Sequence, residues 1–117
     1  MGTRVLIVDD HAGFRAHARR LLECEGYNVV GEAADCAEAL EAAGQLSPDF
    51  ALVDVYLPGE DGFALTNRLQ ALGAAPAVVL TSSRAESDLA ECVEESSACG
   101  FVPKSALSRE TIEEVLP

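Results

Sequence analysis

Several polar residues that could do chemistry stand at the ends of short apolar runs. They are Asp9, Asp10, Asp54, Thr81 and Lys104, and Lys104 is the only lysine of the chain. Carboxylates bind hard divalent cations, while an ammonium and a hydroxyl can each contact an oxygen of a phosphoryl group. Brought together by the fold, these residues would suit a carboxylate that carries a phosphoryl group beside a metal ion.

The three aspartates need a partner if they share one cleft. Neighbouring carboxylates repel one another, and at least one would hold a proton unless a cation balanced them. Mg²⁺ meets this need, because it binds a few carboxylates together with water and phosphate oxygens. A single strand-end aspartate can simply mark a turn or cap a helix, and a strand-end hydroxyl is common. The Asp9–Asp10 pair combined with Asp54 favours the metal site.

Short apolar runs alternate with amphipathic stretches, which predicts five strand–helix units. The predicted strands are residues 4–8, 28–32, 50–54, 77–81 and 100–103, and the predicted helices are residues 12–25, 36–46, 63–72, 86–99 and 106–116. The first, third and fourth strands are continuously apolar, as in a parallel sheet covered by helices on both faces. The predicted fold is therefore α/β, a doubly wound five-stranded parallel sheet in a three-layer sandwich.

Ligands of open parallel sheets bind where the carboxyl ends of the strands meet. Each of the five polar residues ends or directly follows a predicted strand. We therefore expect all five to line one cleft at that edge of the sheet.

Length and composition narrow the class of protein. The chain has 117 residues, which predicts one domain over residues 1–117 and no second one. Its net charge of −12 argues against binding to nucleic acid or to an anionic membrane. The four cysteines form no C-x-x-C pair, no apolar segment is long enough to span a membrane, and the start does not resemble a signal peptide. These features predict a cytoplasmic protein with reduced thiols.

The chain resembles the receiver domains of two-component response regulators over essentially its full length. The resemblance lies in LIVDD at 6–10, LVDVYLPGEDG at 52–62, VLTS at 79–82 and GFVPKS at 100–105. The motifs DDH, D-x-x-LPG-x-DG and GFVPKS are most similar to those of the NarL/LuxR-type subgroup, whose receivers usually precede a helix-turn-helix DNA-binding domain. The resemblance implies the flavodoxin-like (CheY-like) (βα)5 fold with strand order 2-1-3-4-5.

The resemblance also implies a role for each aspartate. Asp54 would be the phosphoacceptor and would take its phosphoryl group from a sensor histidine kinase. Asp9, Asp10 and Asp54 would bind Mg²⁺ or Mn²⁺, together with the main-chain carbonyl of Tyr56. Such a domain acts on no separate substrate, and catalyses only its own phosphorylation and dephosphorylation.

Two further residues would contact the phosphoryl group, and a third would change position when they move. Thr81 would shift toward it, Lys104 would pair with it, and Phe101 matches the aromatic switch position. The resulting conformational change would control an output, and we expect this output to be transcription through a DNA-binding domain outside this chain. The phosphorylated domain could also form a homodimer.

Some residues depart from the commonest family pattern. Ser105 follows Lys104 where proline is frequent, and Phe101 replaces the more familiar tyrosine.

Tyr56 lies two residues past Asp54, close to where water would attack an acyl phosphate. We hypothesise that its ring lengthens the lifetime of the phosphorylated state.

Three other functions fit parts of the pattern. A pseudo-receiver would bind partners without phosphorylation, but it would lack an acidic, Thr or Lys position, and none is missing. A phosphohydrolase of the haloacid-dehalogenase type would carry D-x-D after its first strand and a cap insertion. A flavodoxin-like cofactor binder would need a Ser/Thr/Gly-rich phosphate loop where this chain has Asp-Asp-His-Ala-Gly at 9–13.

Overall fold

Five parallel strands form one sheet with helices between them. The structure is a computed structural model that describes residues 2–83 and 89–117. The strands are β1 (Arg4–Val8), β2 (Asn28–Ala33), β3 (Phe50–Asp54), β4 (Ala77–Ser82) and β5 (Gly100–Pro103). The helices are α1 (Ala12–Cys24), α2 (Cys36–Leu46), α3 (Gly62–Gln70), α4 (Ala90–Glu95) and α5 (Arg109–Val115). The strand order is β2-β1-β3-β4-β5, so the predicted fold class and order are confirmed.

Both faces of the sheet are buried, which explains the continuous apolar strands. Residues of β1, β3, β4 and β5 alternate between two core clusters, as the two-residue period of a strand requires. One cluster joins the sheet to α2, α3 and α4, and the other joins it to α1 and α5. Leu65 and Leu69 of α3 lie in the first, and Leu22 of α1 with Ile112 of α5 in the second. Burying each such side chain contributes roughly 1.5–3 kcal/mol, before the loss of conformational entropy is counted.

The last two helices differ most from the sequence prediction. Residues 86–88 of the predicted fourth helix lie outside the described residues, and α4 ends at Glu95 rather than at residue 99. There the Ser96 hydroxyl donates to the Val93 carbonyl at 2.7 Å, which gives the chain an alternative to another helical turn.

The fifth helix begins three residues later than predicted. Residues Lys104–Ala106 form a 3₁₀ turn instead of the first turn of an α-helix. Ser108 then caps α5, because its side chain accepts from the Thr111 N–H while the Thr111 hydroxyl accepts from the Ser108 N–H. This reciprocal cap fixes the start of the helix at Arg109. The other predicted bounds lie within two residues of the observed ones.

Strand register sets the level at which the polar residues leave the sheet. Val8 pairs with Val53, so the next residues, Asp9 and Asp54, leave adjacent strands side by side. Asp54 in turn pairs with Thr81 on β4. The sheet therefore lines up three of the predicted site residues across three neighbouring strands.

The first residue of α3 touches the end of β3. A Cβ added to Gly62 would lie 2.5 Å from the Asp54 carbonyl oxygen and 2.9 Å from the Val55 Cα. The Gly62 N–H donates to the Val55 carbonyl at 2.8 Å, and the Asp61 side chain caps α3 by accepting from the Ala64 N–H at 2.9 Å. The loop after Asp54 is thus held close to the strand, at a distance that only glycine allows.

We predict that Gly62→Ala lowers the free energy of unfolding by about 1–3 kcal/mol, because its methyl group must displace backbone atoms. Gly44→Ala in α2 is the matched control. A Cβ there meets nothing within 4 Å, so the change should raise stability by about 0.5–1 kcal/mol. Urea denaturation of both variants measures the difference. A Gly62→Ala variant as stable as the wild type would contradict the close contact.

Candidate functional site

An acidic cluster lies at the carboxyl edge of the sheet. Asp9 is fully buried and Asp54 is 4% exposed, whereas Asp10 is exposed. Ligand atoms of these three aspartates and of His11 all lie within 4.8 Å of one another. The structure thus brings the predicted carboxylates together, and it adds an imidazole.

Lys104 connects the two buried carboxylates. Its Nζ lies 2.6 Å from Oδ2 of Asp9 and 3.2 Å from Oδ2 of Asp54. Its side chain is 16% exposed, so solvent screens these ion pairs only in part. No cis peptide bond occurs among the described residues, and the Lys104–Ser105 bond is therefore trans.

The other oxygen of each buried carboxylate accepts from a main-chain N–H two residues further on. Oδ1 of Asp9 accepts from the His11 N–H at 2.8 Å, and Oδ1 of Asp54 accepts from the Tyr56 N–H at 3.0 Å. Both aspartates therefore form the same local turn with their own backbone. Both carboxylates are oriented in advance, with Oδ1 on the backbone and Oδ2 on Lys104.

The charges of the site do not balance by themselves. Burial raises the pKa of Asp54, the Tyr56 N–H lowers it, nearby Asp9 raises it and Lys104 lowers it, with a net upward shift. Burial lowers the pKa of Lys104, but its hydrogen bonds and charge interactions with Asp9 and Asp54 outweigh burial and raise it overall. One ammonium faces three carboxylates, which leaves two negative charges. These oxygen ligands and this charge fit a hard divalent cation such as Mg²⁺ or Mn²⁺.

Thr81 pairs with Asp54 across β3 and β4, and Phe101 on β5 pairs with Leu80. Thr81 is fully buried, and its Oγ1 makes no hydrogen bond within the described part of the chain. A buried hydroxyl without a partner costs about 1–3 kcal/mol, so this oxygen is ready to bond an incoming group. Phe101 is 7% exposed and packs in the core cluster on the α2 and α3 face. Tyr56 is the opposite case, with 41% of its surface exposed.

Two residues that were not among the predicted site residues, His11 and Arg15, also hold the cluster. His11 Nδ1 lies 3.3 Å from Oδ1 of both Asp9 and Asp10. Arg15 on α1 donates from Nη1 to the Asp9 carbonyl at 2.7 Å, and its Nε lies 3.2 Å from Oε1 of Glu32 on β2. The position of His11 directly after the aspartate pair could have indicated that its side chain contacts them. Nothing in the local pattern indicates the contact of Arg15.

We predict that Asp54→Asn stabilises the metal-free protein by on the order of 1 kcal/mol. The amide keeps an acceptor for the Tyr56 N–H, Lys104 keeps Asp9, and a buried charge is removed. The sign follows from the raised pKa of Asp54, since a carboxyl pKa raised by folding makes stability fall as pH rises through that range.

Thermal unfolding at neutral pH in the presence of a chelator measures this difference. Asp49→Asn is the control, because Asp49 is exposed just before β3, and an amide there can still accept the hydrogen bond from the Arg4 N–H. Adding Mg²⁺ should then stabilise the wild type more than Asp54→Asn. A lower melting temperature for Asp54→Asn without metal would contradict the charge imbalance.

The family comparison matches nearly the whole chain. A profile of the response regulator receiver domain matches residues 5–116. The transcriptional regulatory protein PdtaR of Mycobacterium tuberculosis is 38% identical over 101 residues, which are 86% of this chain and 49% of PdtaR. The chain therefore spans about half the length of this curated relative.

Two solved structures have the same fold. A two-component response regulator of the LuxR family from Aurantimonas superposes with a TM-score of 0.85 at 33% identity, covering 97% of this chain and 81% of that chain. The signal receiver domain of NarL from Mycobacterium tuberculosis gives a TM-score of 0.83 at 34% identity, covering 97% of this chain and 93% of that chain.

Among the described residues no helix has the length and apolar character needed to cross a membrane.

Proposed function

The chain belongs to the response regulator receiver domain family of two-component systems, and from this premise we propose that Asp54 accepts a phosphoryl group and thereby switches the domain. One observation carries the proposal. Asp54 is a buried carboxylate whose Oδ2 lies 3.2 Å from an ammonium. Its cross-strand neighbour Thr81 has a hydroxyl with no hydrogen-bond partner among the described residues. Charge neutralisation and a hydrogen-bond donor are thus already close to where phosphoryl oxygens would be.

The reaction is a transfer between two side chains. An Asp54 carboxylate oxygen attacks the phosphorus of a phosphohistidine on a sensor histidine kinase. A P–O bond forms, the P–N bond breaks, and the kinase imidazole keeps the electron pair. Lys104 follows the new negative charge, and the Thr81 hydroxyl donates to a phosphoryl oxygen.

We assign the metal site to Asp9, Asp10 and Asp54 with the main-chain carbonyl of Tyr56. A bound Mg²⁺ or Mn²⁺ would neutralise the carboxylates and the developing charge on the phosphoryl oxygens. The charge imbalance and the close oxygen ligands support this assignment. His11 borders the same cluster and orients Asp9 and Asp10 through its Nδ1.

The switch begins at Thr81. Phosphorylation gives its buried hydroxyl an acceptor and biases the domain toward a second conformation. We propose that Phe101 is the second residue of the switch, and that it is held in its inward position in the core cluster once Thr81 has moved.

The output follows from the kind of protein that carries such domains. PdtaR is named a transcriptional regulatory protein, and this chain spans about half of its length. We propose that residues 1–117 act as one receiver unit in the cytoplasm and control transcription through a DNA-binding domain outside this sequence. Phosphorylation would favour a homodimer. The net charge of −12 disfavours direct contact of this unit with DNA.

Phosphorylation can be tested directly by intact-mass analysis after incubation with acetyl phosphate and Mg²⁺. We expect the wild type to gain one phosphoryl group and Asp54→Asn to gain none. Asp49→Asn is the matched control, since Asp49 directly precedes β3 at the opposite end of that strand from Asp54, and the variant should react like the wild type. An unmodified wild type would instead favour a pseudo-receiver that binds partners without phosphorylation.

The lifetime of the phosphorylated state tests the hypothesis about Tyr56. Its exposed ring lies two residues past Asp54 and would limit the approach of water. We expect Tyr56→Ala to lose its phosphoryl group several-fold faster than the wild type, measured as the decay of the phosphorylated mass. Tyr56→Phe keeps the ring and should decay at the wild-type rate. An unchanged or slower decay in Tyr56→Ala rules out shielding.

A further inference from the structure

The ring of Phe14 forms a third contact of the Lys104 ammonium. Phe14 lies in the first turn of α1, and Lys104 Nζ lies over its ring, 4.2 Å from the centroid. At this distance the negative face of the ring attracts a cation. The ammonium is therefore surrounded by two carboxylates, of Asp9 and Asp54, and by one aromatic face.

The ring is held in place by the core rather than by the site. Phe14 is partly buried and packs against the core cluster that joins α1 and α5 to the sheet. Its contact with Lys104 therefore does not depend on the charge state of Asp54. The carboxylates differ in this respect, because phosphorylation or a bound cation changes the negative charge with which they attract Lys104.

An aromatic face suits this position better than another charged partner would. The amino terminus of α1 carries the positive end of the helix dipole, which disfavours a cation nearby. A further carboxylate would attract Lys104, but it would also repel a phosphoryl group and compete for the metal ion. The ring attracts the ammonium without adding a formal charge.

We propose that Phe14 is a positioning residue, whose ring keeps Lys104 aimed into the site while the charge on Asp54 changes. When Asp54 becomes an acyl phosphate, Lys104 must leave its Oδ2 and move to a phosphoryl oxygen. The contact with Phe14 limits that movement to a short displacement at the mouth of the cleft. This inference rests on the proposed function, because the displacement has a purpose only if Asp54 is phosphorylated.

The contact itself can be tested without phosphorylation, because Lys104 is the only lysine of the chain. Lysine labelled with ¹³C gives one set of side-chain NMR signals, and ring currents from Phe14 should move the Lys104 Hε resonances upfield. We expect Phe14→Leu to abolish this shift and Phe14→Tyr to retain it. Phe63→Leu on α3 is the control and should leave it unchanged. A Lys104 signal unaltered in Phe14→Leu would overturn the contact.

The effect on phosphoryl transfer is measured as the rate of phosphorylation by acetyl phosphate and Mg²⁺. We expect Phe14→Leu to react roughly three- to tenfold more slowly and Phe14→Tyr to restore the rate. Pentafluorophenylalanine at position 14 keeps the shape of the ring and removes its attraction for cations, so it should react like Phe14→Leu even where leucine disturbs folding. Equal rates in all four proteins would overturn the positioning role.

The two measurements separate this inference from the proposed function. If the wild type gains no phosphoryl group, the proposed function fails, whereas the NMR shift still reports whether Phe14 contacts Lys104. If the wild type is phosphorylated but the ring variants react at its rate, only the positioning role fails.

Discussion

The repulsion between the buried carboxylates of Asp9 and Asp54 is the constraint on which the site depends. The strand register sets them side by side at the ends of two adjacent strands, so the sheet holds their backbones close together. Two main-chain N–H groups and one ammonium offset part of the repulsion. The charge that remains unbalanced fits the divalent cation and the response to added charge that we propose for this site.

The rest of the fold offsets the destabilisation that the buried charges cause. Two apolar clusters, one on each face of the sheet, provide the stabilising free energy that does so. Close contacts then limit how the site can relax. Gly62 brings α3 against the carbonyl of Asp54, and Arg15 connects the Asp9 carbonyl to Glu32 on β2.

Much of the fold could be predicted from the sequence, because its strands are short apolar runs that end in polar residues. The same pattern indicated that Asp9, Asp10 and Asp54 would meet at one edge. Helix ends were harder to predict, since a side chain can end or start a helix through one hydrogen bond, as Ser96 and Ser108 do. The contact between Phe14 and Lys104 joins residues far apart in the chain, so no local pattern indicates it.

The order of the strands also decides how the site behaves when the domain opens locally. Asp54 ends β3, which has two strands on each side, while Lys104 follows the edge strand β5. Edge strands open at a lower free-energy cost than central ones, and their amide hydrogens exchange sooner with solvent. Partial opening can therefore detach the ammonium while the aspartate keeps its place. If Asp54 is phosphorylated as we propose, a domain in that state would keep the phosphoryl group but lose the ammonium that responds to it.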